Sequence, residues 1–452
     1  LIEDLCLAFI NQLATCHVNL RALIASYGNV RRAASRQEGS RLPKAASFSP
    51  GAQIIHSKIS MGSSVGADGR AGCRTQALSP NFHNLHDKNQ FHSCFAFRHE
   101  RSSKIFIGYD MTADSQSPLQ RMLSKRDWLL ADGATGTNLF NMGLSSGDAP
   151  ELWNESAPDK IKALYKGSVD AGSDLFLTNS FGGNRSRLKL HGAEARAAEL
   201  SRISAQIGRE VADASGRDVI VAGSVGPTGE IMEPMGPLSY AVAVEIFHEQ
   251  AEGLKAGGAD VAWVETISFG DEFRAAAEAF ARADMPWVGT MSFDTAGRTM
   301  MGITAPELVK LLDKIPNKPL AFGANCGVGA SDLLRTILGF SATGTQTPIV
   351  AKGNAGIPKY HDGHIHYDGT PELMAHYATL ARDCGATIIG GCCGTTPEHL
   401  RAMRAALEAH EPQERPSLQV IEAALGGFSS GSDGTDGAGP TRLRQNRRRR
   451  SS

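Results

Sequence analysis

Three cysteines in the last third of the sequence carry its most specific chemistry. Cys326 ends the apolar run Leu320-Ala-Phe-Gly-Ala-Asn-Cys, and Cys392 and Cys393 stand side by side within Gly390-Gly-Cys-Cys-Gly-Thr. A catalytic zinc typically takes three protein ligands, with sulfur at about 2.3 Å, and keeps one position open. Neighbouring residues of a regular strand point to opposite faces. Gly390, Gly391 and Gly394 bracket the cysteine pair, however, and permit the irregular backbone that aims both sulfurs at one ion. A vicinal disulfide and a pair of unrelated buried thiols are the competing readings, and Cys326 at the end of another apolar run places Zn2+ ahead of both. Three thiolates bring a Zn2+ centre to a formal charge of about −1, which keeps a fourth, substrate sulfur electron-rich. Such a centre suits alkyl transfer to sulfur better than hydrolysis, where neutral histidine ligands are usual. A structural zinc would require a fourth protein ligand. Cys384, on a helical segment before the pair, reads as core.

Other polar residues gather in the same kind of place. Eight short apolar runs, Trp128–Asp132, Asp174–Asn179, Val219–Ser224, Asp260–Glu265, Trp287–Ser292, Leu320–Cys326, Pro348–Lys352 and Thr387–Cys392, alternate with amphipathic segments such as Ser239–Ala256 and Thr370–Asp383. Nearly every run finishes on polar or metal-binding groups: Asp132-Gly-Ala-Thr, Thr178-Asn-Ser-Phe, Ser224, Glu265-Thr, Ser292-Phe-Asp, Asn325-Cys, Lys352-Gly-Asn and Cys392-Cys. Parallel strands buried on both faces read as continuous apolar runs. Eight of them alternating with helices specify an α/β fold, the (β/α)8 TIM barrel, whose active sites lie at the carboxyl ends of the strands. A doubly wound open sheet is the alternative, but it would not gather all eight polar ends at one mouth.

Composition narrows the function classes. The formal net charge is −1, with 41% apolar and 21% charged residues, so there is no global field to recruit nucleic acid or an anionic membrane. No run reaches the roughly 18 apolar residues of a membrane span, and a cytoplasmic enzyme is the expectation. Eight cysteines in 452 residues are too few for a secreted disulfide framework. Three parts are expected. Residues 1–110 mix Ser, Arg, His and Cys without periodicity and read as a disordered or mistranslated extension before Met111. Residues 111–415 form the barrel. Residues 416–452 read as a disordered Gly/Ser/Asp tail ending in an Arg-rich block, a kind of run that is usually solvated.

At the motifs Asp132-Gly-Ala-Thr-Gly-Thr, Thr178-Asn-Ser-Phe, Gly223-Ser-Val-Gly-Pro-Thr-Gly, Glu265-Thr, Gly323-Ala-Asn-Cys, Asn354-Ala-Gly-Ile-Pro and Gly390-Gly-Cys-Cys-Gly-Thr-Thr-Pro, residues 125–410 resemble the homocysteine S-methyltransferase family. Its branches include betaine–homocysteine methyltransferase and the homocysteine module of cobalamin-dependent methionine synthase. The resemblance implies that Cys326, Cys392 and Cys393 hold zinc and that the homocysteine sulfur completes the tetrahedron. It implies that Asp132 and Glu265 bind the amino-acid end, Glu265 chiefly through the ammonium group. Backbone N–H groups of the Gly133–Thr137 turn, those of Gly133 and Thr135 among them, are suited to the substrate carboxylate. Gly182-Gly183 stand where the animal betaine enzymes carry a donor-recognising tyrosine, and Trp153 is a candidate for cation–π contact with a cationic donor. His361, His364 and His366 read as a solvated lid. The expected partners are homocysteine and a small methyl donor, betaine favoured, because the tail is too short to fold a folate or cobalamin domain. The alternatives are the catalytic subunit of a split methionine synthase docking with a corrinoid protein, and a non-catalytic thiol- or zinc-binding regulator. Oligomerisation is left open.

Overall fold

The computed structural model describes residues 116–356, 359–361 and 364–435. The expected head, residues 1–110, and the Arg-rich end lie outside them. Every expected strand forms. The barrel strands are β1 (Leu129–Leu130), β2 (Leu175–Leu177), β3 (Ile220–Val225), β4 (Val261–Ile267), β5 (Trp287–Met291), β6 (Ala321–Asn325), β7 (Ile349–Gly353) and β10 (Ile388–Gly391). They join in parallel in the order β1-β10-β7-β6-β5-β4-β3-β2. A short antiparallel hairpin, β8 (Lys359–His361) with β9 (His364–His366), follows β7 and contains the three histidines.

Side-chain alternation divides each strand between two cores. Leu129, Ala131, Leu175, Leu177, Ile220, Ala222, Val261, Trp263, Val288, Ala321, Val350 and Ile388 fill the barrel interior. Leu119 and Met122, from the helix Pro118–Leu123, belong to the same cluster. Their neighbours in sequence, such as Leu130, Ala262, Val264, Phe322 and Ile389, face the surrounding helices. Period two then fixes what comes next on the inner face. Continuing the inward rows by two residues leads to Ser224 after Ala222, Glu265 after Trp263, Lys352 after Val350 and Cys392 after Gly390.

Two carboxylates stitch the seam between β1 and β2. At its lower end the Asp174 N–H donates to the Leu130 carbonyl (2.7 Å), while Asp174 Oδ2 accepts the Leu130 N–H at 2.9 Å. At its upper end Asp132 Oδ2 accepts the Leu177 N–H at 2.8 Å. Asp174 is fully buried and also meets Arg126 at 2.6 Å, Arg404 at 3.0 Å and Arg217 at 3.4 Å.

The tail departs from its expected disorder. Ser417 caps a helix over Leu418–Leu425 by accepting the Val420 N–H, and Ile421 is wholly buried. Beyond it the Arg335 guanidinium stacks on Phe428, its centre 4.7 Å from the ring, and donates to the Ser430 carbonyl at 2.8 Å. Asp332 Oδ2 accepts the Ser429 N–H at 3.0 Å. The Gly- and Ser-rich composition hid an amphipathic turn and a segment whose order comes from groups on the barrel.

Asp174→Asn should lower stability, because three arginines lose their counter-charge and the seam loses an anionic acceptor. Loss of a buried ionic partner typically costs 3–5 kcal/mol, and the partial exposure of the arginines reduces the expectation to about 2–3 kcal/mol. Urea denaturation checks this; an unchanged midpoint would remove Asp174 from the closure of the barrel.

Candidate metal centre and substrate cavity

The three thiols that the sequence singles out converge. The sulfurs of Cys326, Cys392 and Cys393 all lie within 4.8 Å of one another, and Cys326 Sγ is 4.0 Å from Cys393 Sγ. Ligands at about 2.3 Å around a tetrahedral ion stand about 3.8 Å apart, so the triad fits one Zn2+.

Cys326 is delivered by an irregularity at a strand end, Cys392 by the regular continuation of β10, and Cys393 by the turn that follows it. Cys326 follows β6 with φ of 59°, a left-handed conformation that non-glycine residues seldom adopt, and its N–H donates to the Lys352 carbonyl at 3.1 Å. The Cys392 N–H continues the β10–β7 ladder to the Gly353 carbonyl (2.7 Å). Gly394, at φ of 79°, then turns the chain. Asn354 ties the two cysteine loops together: its amide donates to the Gly327 carbonyl at 3.1 Å, and its Oδ1 accepts the Cys393 N–H at 3.1 Å. Two of the thiols, those of Cys326 and Cys392, are costly to ionise on their own. Mutual hydrogen bonding with the other two cysteines, then burial, pushes the Cys326 thiol well above its ordinary range. The Cys392 thiol is pushed up to about 12: its hydrogen bond with Cys326 lowers it, but Cys393 and burial outweigh that effect. A divalent cation reverses this preference, since coordinated thiols are deprotonated.

Glu265 reaches the same cavity through a bulge. The β4–β5 register pairs Val264 with Gly289 but Ile267 with Met291, so β4 carries one extra residue across Glu265–Thr266. Thr266 takes φ of 62° there. Asn325 holds it by accepting the Thr266 N–H at 2.9 Å and donating to Thr266 Oγ1 at 2.8 Å. Glu265 Oε1 accepts from Ser224 Oγ at 2.6 Å. Burial raises the Glu265 carboxyl to about 7, with Lys352 pulling the other way.

Lys352 is the residue that sequence reasoning quoted but left without a role. Its ammonium meets Asp132 Oδ1 at 2.5 Å and lies 5.8 Å from the centre of the Trp263 ring. Burial opposes its charge, yet Asp132, Glu265 and Cys392 together hold its pKa above the ordinary value. The available signal was a lysine in the inward register of an otherwise apolar strand. Its partner lies 220 positions away.

Gly133 and Thr135 line the cavity together with Glu265, Lys352 and the cysteines. A side chain at Gly133 would collide with the Thr395 carbonyl, 2.6 Å from a Cβ placed there. Thr135 precedes the helix Gly136–Asn141 without a side-chain capping bond. Asp132 borders this turn but directs its two oxygens to Lys352 and to the Leu177 N–H. Towards solvent the cavity continues along Phe140, Glu151, Phe181, Arg187 and His191. Trp153 is not part of that lining. It packs beside the helix Pro158–Asp170, with the Lys160 ammonium 4.3 Å from its ring centre, so it lies outside the cavity where a donor-facing tryptophan was expected. Cys384 is buried core, as expected. Among the described residues no helix is long and apolar enough to cross a membrane.

Comparison with known proteins identifies the family. A family model described as homocysteine S-methyltransferase matches residues 129–407. Methionine synthase of Mycobacterium tuberculosis (strain ATCC 25618 / H37Rv) is 31% identical over 321 residues, 66% of this chain and 26% of that protein. Methionine synthase of Mycobacterium leprae (strain TN) is 29% identical over 295 residues, 62% of this chain and 24% of that protein. This chain thus spans about a quarter of the length of these relatives. Crystal structures of the homocysteine methyltransferase MmuM from Escherichia coli, in oxidized and metallated forms, each superpose with a TM-score of 0.53 at 27% identity, covering 64% of this chain and 99% of that one.

Removing one sulfur tests the centre. Cys392→Ala should weaken zinc binding at least about a hundredfold, because three-ligand sites depend on every ligand. The circular dichroism spectrum should stay native, because the ladder bond at residue 392 is made by backbone. Stoichiometric zinc retained after dialysis against a chelator would exclude Cys392 as a ligand.

Proposed function

This chain belongs to the homocysteine S-methyltransferase family, and we propose that it transfers a methyl group from a small onium donor to the homocysteine sulfur at a zinc centre, giving methionine. The observation that carries the reading is the convergence of three thiols on one ion-sized gap beside the half-buried carboxylate of Glu265.

Cys326, Cys392 and Cys393 would hold the metal, which when bound supplies the acidity that converts the substrate thiol to a thiolate at neutral pH. The remaining work falls to the chain. Glu265 receives the substrate ammonium, a pairing that a buried ammonium requires, and Asp132 supports that end of the cavity. The backbone N–H groups at Gly133 and Thr135 receive the carboxylate. Held at both ends, the amino acid points its sulfur at the metal position. The methyl carbon is attacked along the cavity axis. A sulfur lone pair forms the new S–C bond as the bond from methyl to the onium atom breaks. The electron pair leaves with the donor, which departs as a neutral amine or sulfide. Proximity and exclusion of water are the chain's contributions to rate.

Betaine is the favoured donor. The homocysteine methyltransferase MmuM is matched over 99% of its chain by this barrel, which supports homocysteine methyl transfer by a barrel of this size. The relatives named methionine synthase keep a corrinoid protein as the second reading.

Zinc-loaded protein should form methionine from homocysteine when offered betaine, with dimethylsulfoniopropionate, S-methylmethionine and methylcobalamin tested in parallel. Turnover with methylcobalamin alone would move the assignment to the corrinoid reading. Binding of zinc and homocysteine without turnover under any donor would make the protein a thiol-binding regulator.

Glu265→Gln should weaken homocysteine binding by about tenfold or more, the scale of a lost charge-assisted contact, while leaving zinc content unchanged. In the native protein homocysteine affinity should fall as pH drops below about 7, because the raised carboxyl pKa leaves Glu265 neutral there. Calorimetric titrations at several pH values check both, and an identical pH profile in the variant would remove Glu265 from the ammonium site.

A further inference from the structure

We propose that Lys352 assigns different tasks to the two carboxylates of the cavity floor: it occupies Asp132 as a positioning group and leaves Glu265 as the sole acceptor for the substrate ammonium. This inference rests on the homocysteine reading above, and it alters the part that the family resemblance implied for Asp132.

Four observations support it. Both Asp132 oxygens are engaged within the protein, Oδ1 by the Lys352 ammonium at 2.5 Å and Oδ2 by the Leu177 N–H at 2.8 Å. Asp132 and Lys352 are 4% and 2% exposed, so neither charge is relieved by solvent. The Trp263 ring lies 5.8 Å from the ammonium and blocks its escape into the barrel interior. Glu265, by contrast, uses Oε1 for the Ser224 hydroxyl and lines the cavity beside the thiols.

Counting charges shows what Lys352 accomplishes. Two carboxylates next to an anionic thiolate centre repel each other and the centre in a region of low dielectric, where such terms are several times larger than in water. One lysine cancels one carboxylate. The floor then carries a single net negative charge, which one α-ammonium neutralises. The cavity is thereby matched to a thiol bearing one ammonium group. The selectivity is set by a residue that need not touch the substrate.

The test is a double-mutant comparison on the full chain loaded with zinc, reading homocysteine dissociation constants by calorimetry and the split between KM and kcat. Asp132→Asn keeps an oxygen for the Leu177 N–H but frees Lys352 to pair with Glu265; homocysteine affinity should fall about tenfold or more. Lys352→Met leaves two competing carboxylates and should fall by a similar factor, with KM affected more than kcat. The combined D132N/K352M variant restores a single negative charge at Glu265, and its affinity should return to within about threefold of the native protein. D132N/K352Q makes the same comparison with a hydrogen-bonding amide at position 352, should methionine disrupt the floor. If Asp132 itself received the ammonium, both combined variants would bind as weakly as D132N or more weakly, and the proposal would be overturned. Native protein that binds zinc but no homocysteine would overturn the proposed function instead, so the two failures are distinguishable.

Discussion

Asp132 joins the fold to the chemistry. One of its oxygens closes the top of the β1–β2 seam through the Leu177 N–H, and the other anchors a buried ammonium from β7, one strand beyond β10 in the sheet order. A carboxylate removed from water is tolerated only when its acceptors are filled, and here the barrel's own closure helps to fill them. Asp174 does the same at the lower end of the seam, where it meets three arginines. A barrel whose first two strands are joined so sparsely by backbone is completed by side chains. The upper stitch borders the cavity through Leu177 and Lys352, so β1, β2 and β7 cannot shift without moving groups that line it.

Much of this was legible in the sequence because period two leaves little freedom. Once Trp263, Val350 and Gly390 face the barrel axis, Glu265, Lys352 and Cys392 must do so as well, one layer nearer the mouth. The runs that mark the strands also mark which polar residues meet. The convergence of the cysteines was readable from Cys326 at one strand end and a glycine-flanked pair at another. Long-range pairing was not readable. Nothing local to Lys352 announces that it faces Asp132, and a single sequence gives no measure of how two strand ends lie across a barrel. The β4 bulge was hidden for the same reason, since an extra residue is defined only against the register of β5.

Over residues 416–435, where composition was the guide, the structure departs from the expected disorder. Residues after 416 look like a linker by their glycine and serine content, yet Ser417 caps a helix and Arg335 collects the segment beyond it. Small polar residues satisfy backbone groups as readily as they loosen a chain, and which they do depends on partners elsewhere. Trp153 misled in the opposite way. An aromatic residue near a suspected cationic ligand invites a cation–π role, but Lys160, further along the chain, takes that face.

The amide of Asn354 bridges the two loops that carry the sulfurs. The gap among the thiols is therefore set by neutral hydrogen bonds between strands whose positions the whole sheet fixes, and not by the ion that enters it. A cation that prefers a planar ligand field would find the sulfurs on one side only. That one-sided arrangement is braced by an asparagine that is not itself among the candidate ligands.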